Sequence, residues 1–583
     1  MGATIISNQL AEEHSKKEEL IFKFKTWVHT SLRAVKNLIN PPHKGVVNNE
    51  LINSTTISTS LSALWNRNDN EKNWILTAGK IENLRIAAKA LNGLEIPAEA
   101  TFSFWKQIGN PNLDRNYKIG REIREGCLVP TKAGGLCQLS NALYDAALKA
   151  NFEIIERHRH SKIVKGSLAE QNRDATVKWN YVDLRFRSKS AFRIEAELTA
   201  THLIVKFKAK AKTASNSTQN IFSSTPSHLN DCHSCGNKTC IKSIFKQQPT
   251  HSRAFIIESD RPEWIKFVGD QMNANDYLID LTGKSLFSNH SRNIKLNNQP
   301  LLDKVVARLQ KKSDIFKEKM SQDLKLAKRI QKILPIEVTH ITVSQDLALH
   351  FQELGVFGGR TFQILMTRLP LQQLHKRLDY AFQIHPYSPT LTNYRASDLL
   401  VELEQKILLN AHKLITTHQE IAKLHQKKTV LIDFEQSLGV SNSLVNTNRL
   451  NVLLPHSALA RKGIYEVLKL QREHSFHLII GGKSVDQNGM LDHIDYSHFD
   501  GDFSKVDLII SPTYVEHYPK LILEGLAAGI PAIVSEAVGL SKVSHQEITI
   551  LETGKYELFN NALESFIQSR NYHQGFNPLN LAS

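Results

Sequence analysis

Apolar and polar positions change period several times along this chain. In residues 75–210 "AGKIENLRIAAKALNGL" and "GLCQLSNALYDAALKAN" repeat apolar residues at helical spacing. Between and after them, "TFSF", "FEIIERH", "ATVKWNYVDLRFR" and "FRIEAELTATHLIVKFKAK" carry strand character, several with clean alternation. Helices and strands are segregated, which predicts an α+β domain. From about residue 252 the pattern becomes strand, helix, strand. "SRAFIIES", "DYLIDL", "VTHITVS", "RTFQILMTR" and "KTVLIDF" read as strands among helical runs, with a long charged helix over 301–334. A second set follows, with strands in "RLNVLLPHS", "FHLIIGG", "VDLIIS" and "PAIVSE" and helices in "KGIYEVLKLQREH" and "PKLILEGLAAG". Short apolar strands, each followed by a helix, belong to buried parallel sheets.

These shifts divide the 583 residues into five segments. Residues 1–74 form a polar, partly helical extension, 75–210 the α+β domain, and 211–250 a Ser/Thr/Asn-rich linker with a cysteine cluster. Residues 251–448 and 449–583 form two successive Rossmann-like parallel-sheet domains of α/β type. Two such sheets in sequence make a natural ligand cleft.

Composition narrows the function classes. No run of about 18 apolar residues is present, so no spanning helix is expected. The stretch "MGATIISNQLAEEHSKKEEL" lacks the basic start and apolar core of a secretory signal, so a cytoplasmic location is expected. The formal charge of +16 is spread along the chain rather than gathered in a nucleic-acid arm. A solvated basic surface is the plain reading of this charge, and attraction to anionic lipid or phosphate-bearing substrates is the sharper one. "FKFKTWVHTSLRAVKNLI" reads as a basic amphipathic helix, giving peripheral contact with the inner membrane face as an expectation beside packing on its own domain.

The strongest chemical pattern is "SPTYVEHYPKLILEGLAAGIPAIVSE", residues 511–536. Pro519 suits the first turn of a helix, which puts Glu516 in the loop ahead and Glu524 in the second turn. The free N–H groups of a helix start at the carboxyl edge of a parallel sheet bind anions, and carboxylates accept hydrogen bonds from sugar hydroxyls. Gly529 and Pro531 then close the helix and restart a strand. The stretch resembles the donor-binding motif of retaining glycosyltransferases of the two-domain GT-B type. That pattern is Glu, seven residues, Glu, a small-residue helix end, Gly-x-Pro and a strand. "LLPHSALARKGIYEVL" resembles the same family's strand and Lys-Gly turn. The resemblance is clear over about 449–570 and faint over 252–448. It implies a nucleotide-sugar donor, with Lys462 on the diphosphate, Glu524 on the ribose, and Glu516 toward the donor sugar or leaving group. His517 and Tyr518 join the donor site by the same likeness. Ser457 stands where the family has an arginine, and Arg461 is the substitute; either Arg461 or Lys462 would stabilise the departing diphosphate without a metal. "HYP" replaces the glycine-rich continuation after the first glutamate, and the first sheet lacks the usual Gly-Gly loop. His340 and His385 fall in loops of the first sheet, where a lone histidine is more often structural.

A second resemblance covers about 20–210. "TFSFWKQIGNP", "YKIGREIREG", "GGLCQLSNALYDAAL", "ERHRHS" and "DATVKWNYVDLRF" occur in the order found in the VanW family, associated with B-type vancomycin resistance. It implies a link to cell-envelope substrates. Within these blocks Cys137 stands near a helix start, where a thiol's pKa is lowered. His158 or His160 is its candidate base and Asp174 the group that orients the imidazole, with a packing role for the cysteine as the alternative. In "DCHSCGNKTC", Cys232, Cys235 and Cys240 have ligand-like spacing, and His233 or a distant residue could complete a zinc site. An iron–sulfur cluster and unligated thiols are the other options.

The expected function is sugar transfer from a nucleotide sugar to a glycan, lipid or cell-envelope acceptor. One rival is a non-catalytic protein that binds an envelope precursor or a nucleotide. The other is cysteine-dependent amide or peptide chemistry in residues 75–210.

Overall fold

The computed structural model describes residues 16–575 apart from 40, 66–73, 115, 125–126, 160–167, 169–171, 180, 211–229, 232–250, 283–286, 288–289, 295, 297–314, 393–394, 435–448 and 541–546. The chain forms two compact units. One holds residues 1–254, 325–341 and 350–361; the other holds 255–324, 342–349 and 362–583.

The first unit is built on a five-stranded antiparallel sheet in the order Val46–Val47, Leu94–Ile96, Phe192–Leu198, His202–Ala209, Thr55–Ala63. The edge strand Thr55–Ala63 lies in the segment read as a polar extension. Its inward positions include Ser58 and Ser60, small hydroxyl residues that hide the alternation. Among the described residues "ATVKWNYVDLRFR" supplies only the strand Arg185–Arg187 and an isolated bridge between Lys178 and Val182. A hairpin, Ile119–Arg124 with Cys127–Lys132, arises where no strand is expected. Phe152, Phe186, Phe192 and Phe207 cluster in the core with centroids 4.7–6.0 Å apart, each burial contributing about 2 kcal/mol.

The helix Trp74–Leu91 is buried on nearly every side, including polar residues. Each of these has partners. Lys80 Nζ donates to Leu64 O at 2.7 Å and Gln138 Oε1 at 2.8 Å. Asn83 Nδ2 donates to Lys118 O and Gly134 O, and its Oδ1 accepts from Lys118 N. The Gly134–Gly135 turn wraps this helix. A Cβ on Gly135, at φ +97°, would meet the Lys80 side chain at 2.0 Å. One on Gly120 would meet Gly134 O at 2.4 Å. The two glycines ahead of Cys137 are therefore required by close approach. On the far side of the helix, Arg85 Nε donates to Gly358 O at 2.5 Å, Trp65 Nε1 donates to Gly359 O at 3.0 Å, and Gly359 N donates to Thr199 O at 2.8 Å. The turn "GVFGGR" (355–360) is thus fastened onto this unit, and Arg360 lies 3.8 Å from Glu82.

The remaining chain builds two six-stranded sheets. The second runs Tyr496–His498, His477–Ile480, Asn451–Leu454, Leu508–Ser511, Ala532–Ser535, Ile548–Leu551, and every pairing is parallel. Chain order reverses between Asn451–Leu454 and Leu508–Ser511, the switch point at which loops part and ligands bind. The first sheet runs Tyr277–Asp280, Ser252–Ile257, Val338–Ser344, Thr361–Leu365, Lys413–Thr416, Thr429–Leu431. Its reversal lies between Ser252–Ile257 and Val338–Ser344. The long charged helix is described from Ile315 to Ile333.

At that first switch point Glu258 accepts a hydrogen bond from Ser344 Oγ, and Asp346 lies between Lys319 and Arg368 Nε, the latter at 3.0 Å. Burial, reinforced by Asp346 and Asp323 and opposed by Lys319, pushes the Glu258 carboxyl up to about 8. The folded protein therefore holds its proton at neutral pH.

Two outcomes are expected. Gly120→Ala and Gly134→Ala, whose added Cβ would lie within 2.7 Å of backbone, should each destabilise by roughly 3 kcal/mol. Gly529→Ala, at φ +84° with open space around it, should cost about 1 kcal/mol. Equal losses in urea unfolding would refute the close-packing account. For Glu258 the folded pKa is raised above the ordinary 4.5. Its contribution is full below 4.5 and is lost as pH rises to about 8. The stability of Glu258→Gln relative to wild type should therefore rise by about 1.4 kcal/mol per pH unit across that window. A difference independent of pH would show that the carboxyl is ionised in the fold.

Candidate functional site

The loops leaving the two strands at the second switch point carry the expected residues. After Asn451–Leu454 the chain forms a single turn of 3-10 helix, Ala460–Lys462, ended by Gly463 at φ +80°. Only glycine fits there, because a Cβ would lie 2.6 Å from Pro512 O. This turn presents Lys462. After Leu508–Ser511, residues 512–519 lead into the helix Lys520–Ala527 and present Glu516. Tyr514 N donates to Arg461 O at 3.0 Å, tying the two loops together.

Lys462 Nζ donates to Glu516 Oε2 at 2.8 Å and to Val515 O at 2.7 Å. Glu516 Oε1 accepts from the backbone N–H groups of His517 at 2.8 Å and Tyr518 at 2.9 Å. His456 Nδ1 lies 3.1 Å from Glu516 Oε2, and its Nε2 lies 2.8 Å from Ser511 Oγ. Burial alone would raise the Glu516 carboxyl, but the Lys462 ammonium, helped by the Tyr518 backbone N–H, outweighs it and holds the group far below the usual carboxylate range. Burial lowers the Lys462 ammonium against the pull of Glu516. Burial also lowers His456 and His517 to about 3 and His418 to about 4. At neutral pH these three imidazoles are uncharged.

His418 follows the first-sheet strand Lys413–Thr416, and its Nε2 lies 3.2 Å from Glu516 O. Gly539 gives it room, since a Cβ there would lie 2.4 Å from the ring. Arg261, just beyond the first strand of that sheet, stands 4.0 Å over the Tyr518 ring and donates to Thr417 Oγ1 at 3.2 Å. Both groups come from the first sheet to the rim of the second-sheet loops. Neither they nor His456 carry a signal in the sequence beyond lying at carboxyl ends of strands.

Glu524 is in the second turn of Lys520–Ala527, partly exposed, with Lys520 Nζ 3.6 Å away. That helix has no side-chain cap at its start, so its first N–H groups suit an anion. Gly482 lets the "IIGG" strand end close on Ser457, whose Oγ would lie 2.2 Å from an added Cβ. His385 is buried against Glu466 Oε1 at 2.7 Å, and His340, which lies within the strand Val338–Ser344 rather than in a loop, bonds Thr361 Oγ1 at 2.8 Å. Both act within the scaffold.

The cysteine constellation is arranged differently. Cys137 opens the helix Cys137–Lys149 with its Sγ 3.7 Å from Val177 O. Burial pushes the thiol up to about 11, the opposite of the lowered pKa that a nucleophilic thiol needs. His158 Nε2 lies 3.1 Å from Glu156 Oε1, and Asp174 Oδ1 accepts from Arg157 at 2.5 Å. No hydrogen bond joins Cys137 to His158 or Asp174 among the described contacts. His160, His233, Cys232, Cys235 and Cys240 lie outside the described residues. Among the described residues no group of three or more His, Cys, Asp or Glu is arranged to hold a metal ion.

Comparison with known proteins separates the two regions. Residues 79–208 match the family model described as VanW like protein. Over 132 residues the chain is 37% identical to the vancomycin B-type resistance protein VanW of Enterococcus faecalis, covering 22% of this chain and 46% of that protein. Over 107 residues it is 33% identical to the uncharacterized protein YoaR of Bacillus subtilis, covering 18% and 35%. The chain thus spans less than half the length of either relative. Among solved structures, sucrose-phosphate synthase from Thermosynechococcus elongatus is similar at 16% identity and TM-score 0.39, over 55% of this chain and 90% of that one. Anabaena HepE in complex with UDP is similar at 12% identity and TM-score 0.34, over 55% and 90%. Residues 79–208 are a VanW-like domain, and the chain continues from it into two six-stranded sheets of Rossmann type.

Proposed function

We propose that the two-sheet region is a retaining glycosyltransferase that takes a nucleotide-sugar donor and passes its sugar to a hydroxyl of a glycan, lipid or other cell-envelope acceptor. The observation that carries this reading is the buried Lys462–Glu516 pair at the second switch point, beside an uncapped helix start. An ammonium has three N–H groups. Two are directed at Glu516 and Val515 among the described residues, which leaves one for a phosphate oxygen. Positive charge placed in advance at the diphosphate stabilises it as it departs, and Arg461 on the same turn adds to it. Glu516 stays ionised when Lys462 turns to phosphate, because two backbone N–H groups still hold it. It can then accept hydrogen bonds from the donor sugar. Glu524 is placed for ribose hydroxyls, and the residues His517 and Tyr518 border the same pocket of charge. The VanW-like domain is proposed to engage the envelope acceptor.

The test uses the purified full chain with a panel of nucleoside diphosphate sugars, read by thermal shift and by release of nucleoside diphosphate. One donor should raise the Tm and be turned over. Lys462→Ala should lower turnover by about a hundredfold or more, Glu516→Gln should lower it in the same direction, and Cys137→Ser should leave it unchanged. A Tm shift without release would support a nucleotide-binding protein instead. No shift with any donor, or full turnover by Lys462→Ala, would refute the transferase reading.

A further inference from the structure

The helix Lys16–Ile39 is attached to its unit by its polar side. Arg33 makes two hydrogen bonds to the Glu156 carboxylate, one of them 2.7 Å, and a third to Tyr181 O at 3.0 Å. Asn37 Oδ1 accepts from Arg185 at 2.6 Å, and the His29 ring stacks on Tyr181 at 5.7 Å. An amphipathic helix on a globular domain normally buries its apolar stripe and turns its charges to water. Here the orientation is reversed. Phe24, Trp27, Leu32, Val35, Leu38 and Ile39 are each 55–83% exposed. Ile21, Phe24, Val28, Leu32, Val35 and Ile39 recur at steps of three and four residues, and Trp27 and Leu38 lie beside them, so these positions share one face. The rings of Phe24 and Trp27 stack on that face at 6.2 Å.

We infer that this face is a docking surface for an anionic lipid bilayer. Charge argues for lipid over a protein partner: the helix carries six Lys and Arg against two Glu, and the whole chain +16. Lys25 and Lys36 are exposed, and the helical register places both beside one edge of the apolar face, where ammonium groups meet headgroup phosphates. The aromatic pair suits the headgroup level. No helix among the described residues is long and apolar enough to cross a membrane, so this one would lie in the interface plane. The three polar anchors would hold the VanW-like domain against the bilayer, whatever reaction the two-sheet region performs.

The test is cosedimentation of the full chain with phosphatidylcholine vesicles and with vesicles containing about 30% phosphatidylglycerol. Wild type should bind the anionic vesicles only, and about 0.5 M NaCl should weaken binding. The double variant Phe24→Ser, Trp27→Ser and the double variant Lys25→Glu, Lys36→Glu should each bind at least about tenfold more weakly with an unchanged Tm. Trp27→Phe, which keeps the apolar face, should still bind while losing the vesicle-induced blue shift of tryptophan fluorescence. Equal binding to both vesicle types, wild-type binding by the lysine variants, or a blue shift that persists in Trp27→Phe would each overturn the inference. So would a wild-type dimer that Phe24→Ser, Trp27→Ser makes monomeric, because a second copy would then cover the face.

Discussion

A carboxylate taken almost wholly out of water organises the second sheet's loops. Glu516 is 6% exposed, and a buried charge survives only with a partner and with its lone pairs satisfied. Lys462 supplies the charge, two backbone N–H groups and the neutral His456 supply the rest. Meeting those demands dictates the local backbone. The turn bearing Lys462 has to come against residues 512–515, which only a glycine at 463 allows. Residues 516–518 must curl so that consecutive N–H groups face one oxygen, which delays the helix to Lys520. Even the first sheet takes part, since His418 reaches Glu516 O across a gap kept open by Gly539.

The parallel sheets are legible in the sequence because strands buried on both faces read as unbroken apolar runs, as in "NVLL" and "LIIS". Lys462 and Glu516 are legible as well. Each sits a short loop beyond such a run, and a resemblance of motif supplies the roles proposed for them. His456, His418 and Arg261 are not, because three strands from distant parts of the chain bring them to one place and no spacing records that. The strand Thr55–Ala63 is missed for a different reason: its buried side chains include serines, so burial and polarity part company. Over 119–132 a hairpin forms through glycine contacts that hydrophobic pattern does not encode.

The glycine pair before Cys137 shows how one signal can point to two things. Glycines ahead of a cysteine at a helix start suit a reactive thiol. They also suit a backbone that must pass over a neighbouring helix without side chains in between. Here the second demand is documented atom by atom at Lys80 and Gly120, while the half-buried thiol has its pKa pushed up to about 11. Lys80 is the unexpected element. Its ammonium is held inside the unit by Leu64 O and Gln138, so the turn serves as the cover of an internal cation.

The "GVFGGR" turn bears on how such a chain could have been assembled. Residues 325–341 and 350–361 belong to the same compact unit as the VanW-like domain, so the chain passes between units at 254/255, 324/325, 341/342, 349/350 and 361/362. A simple tandem fusion would cross once. Five crossings mean that cutting the polypeptide in the linker would not free two finished modules. It would strip Arg85 and Trp65 of the carbonyls they donate to and leave Arg360 without Glu82. Separating the residues before the linker from those after it would therefore remove hydrogen-bond partners from the very unit that contains the VanW-like domain.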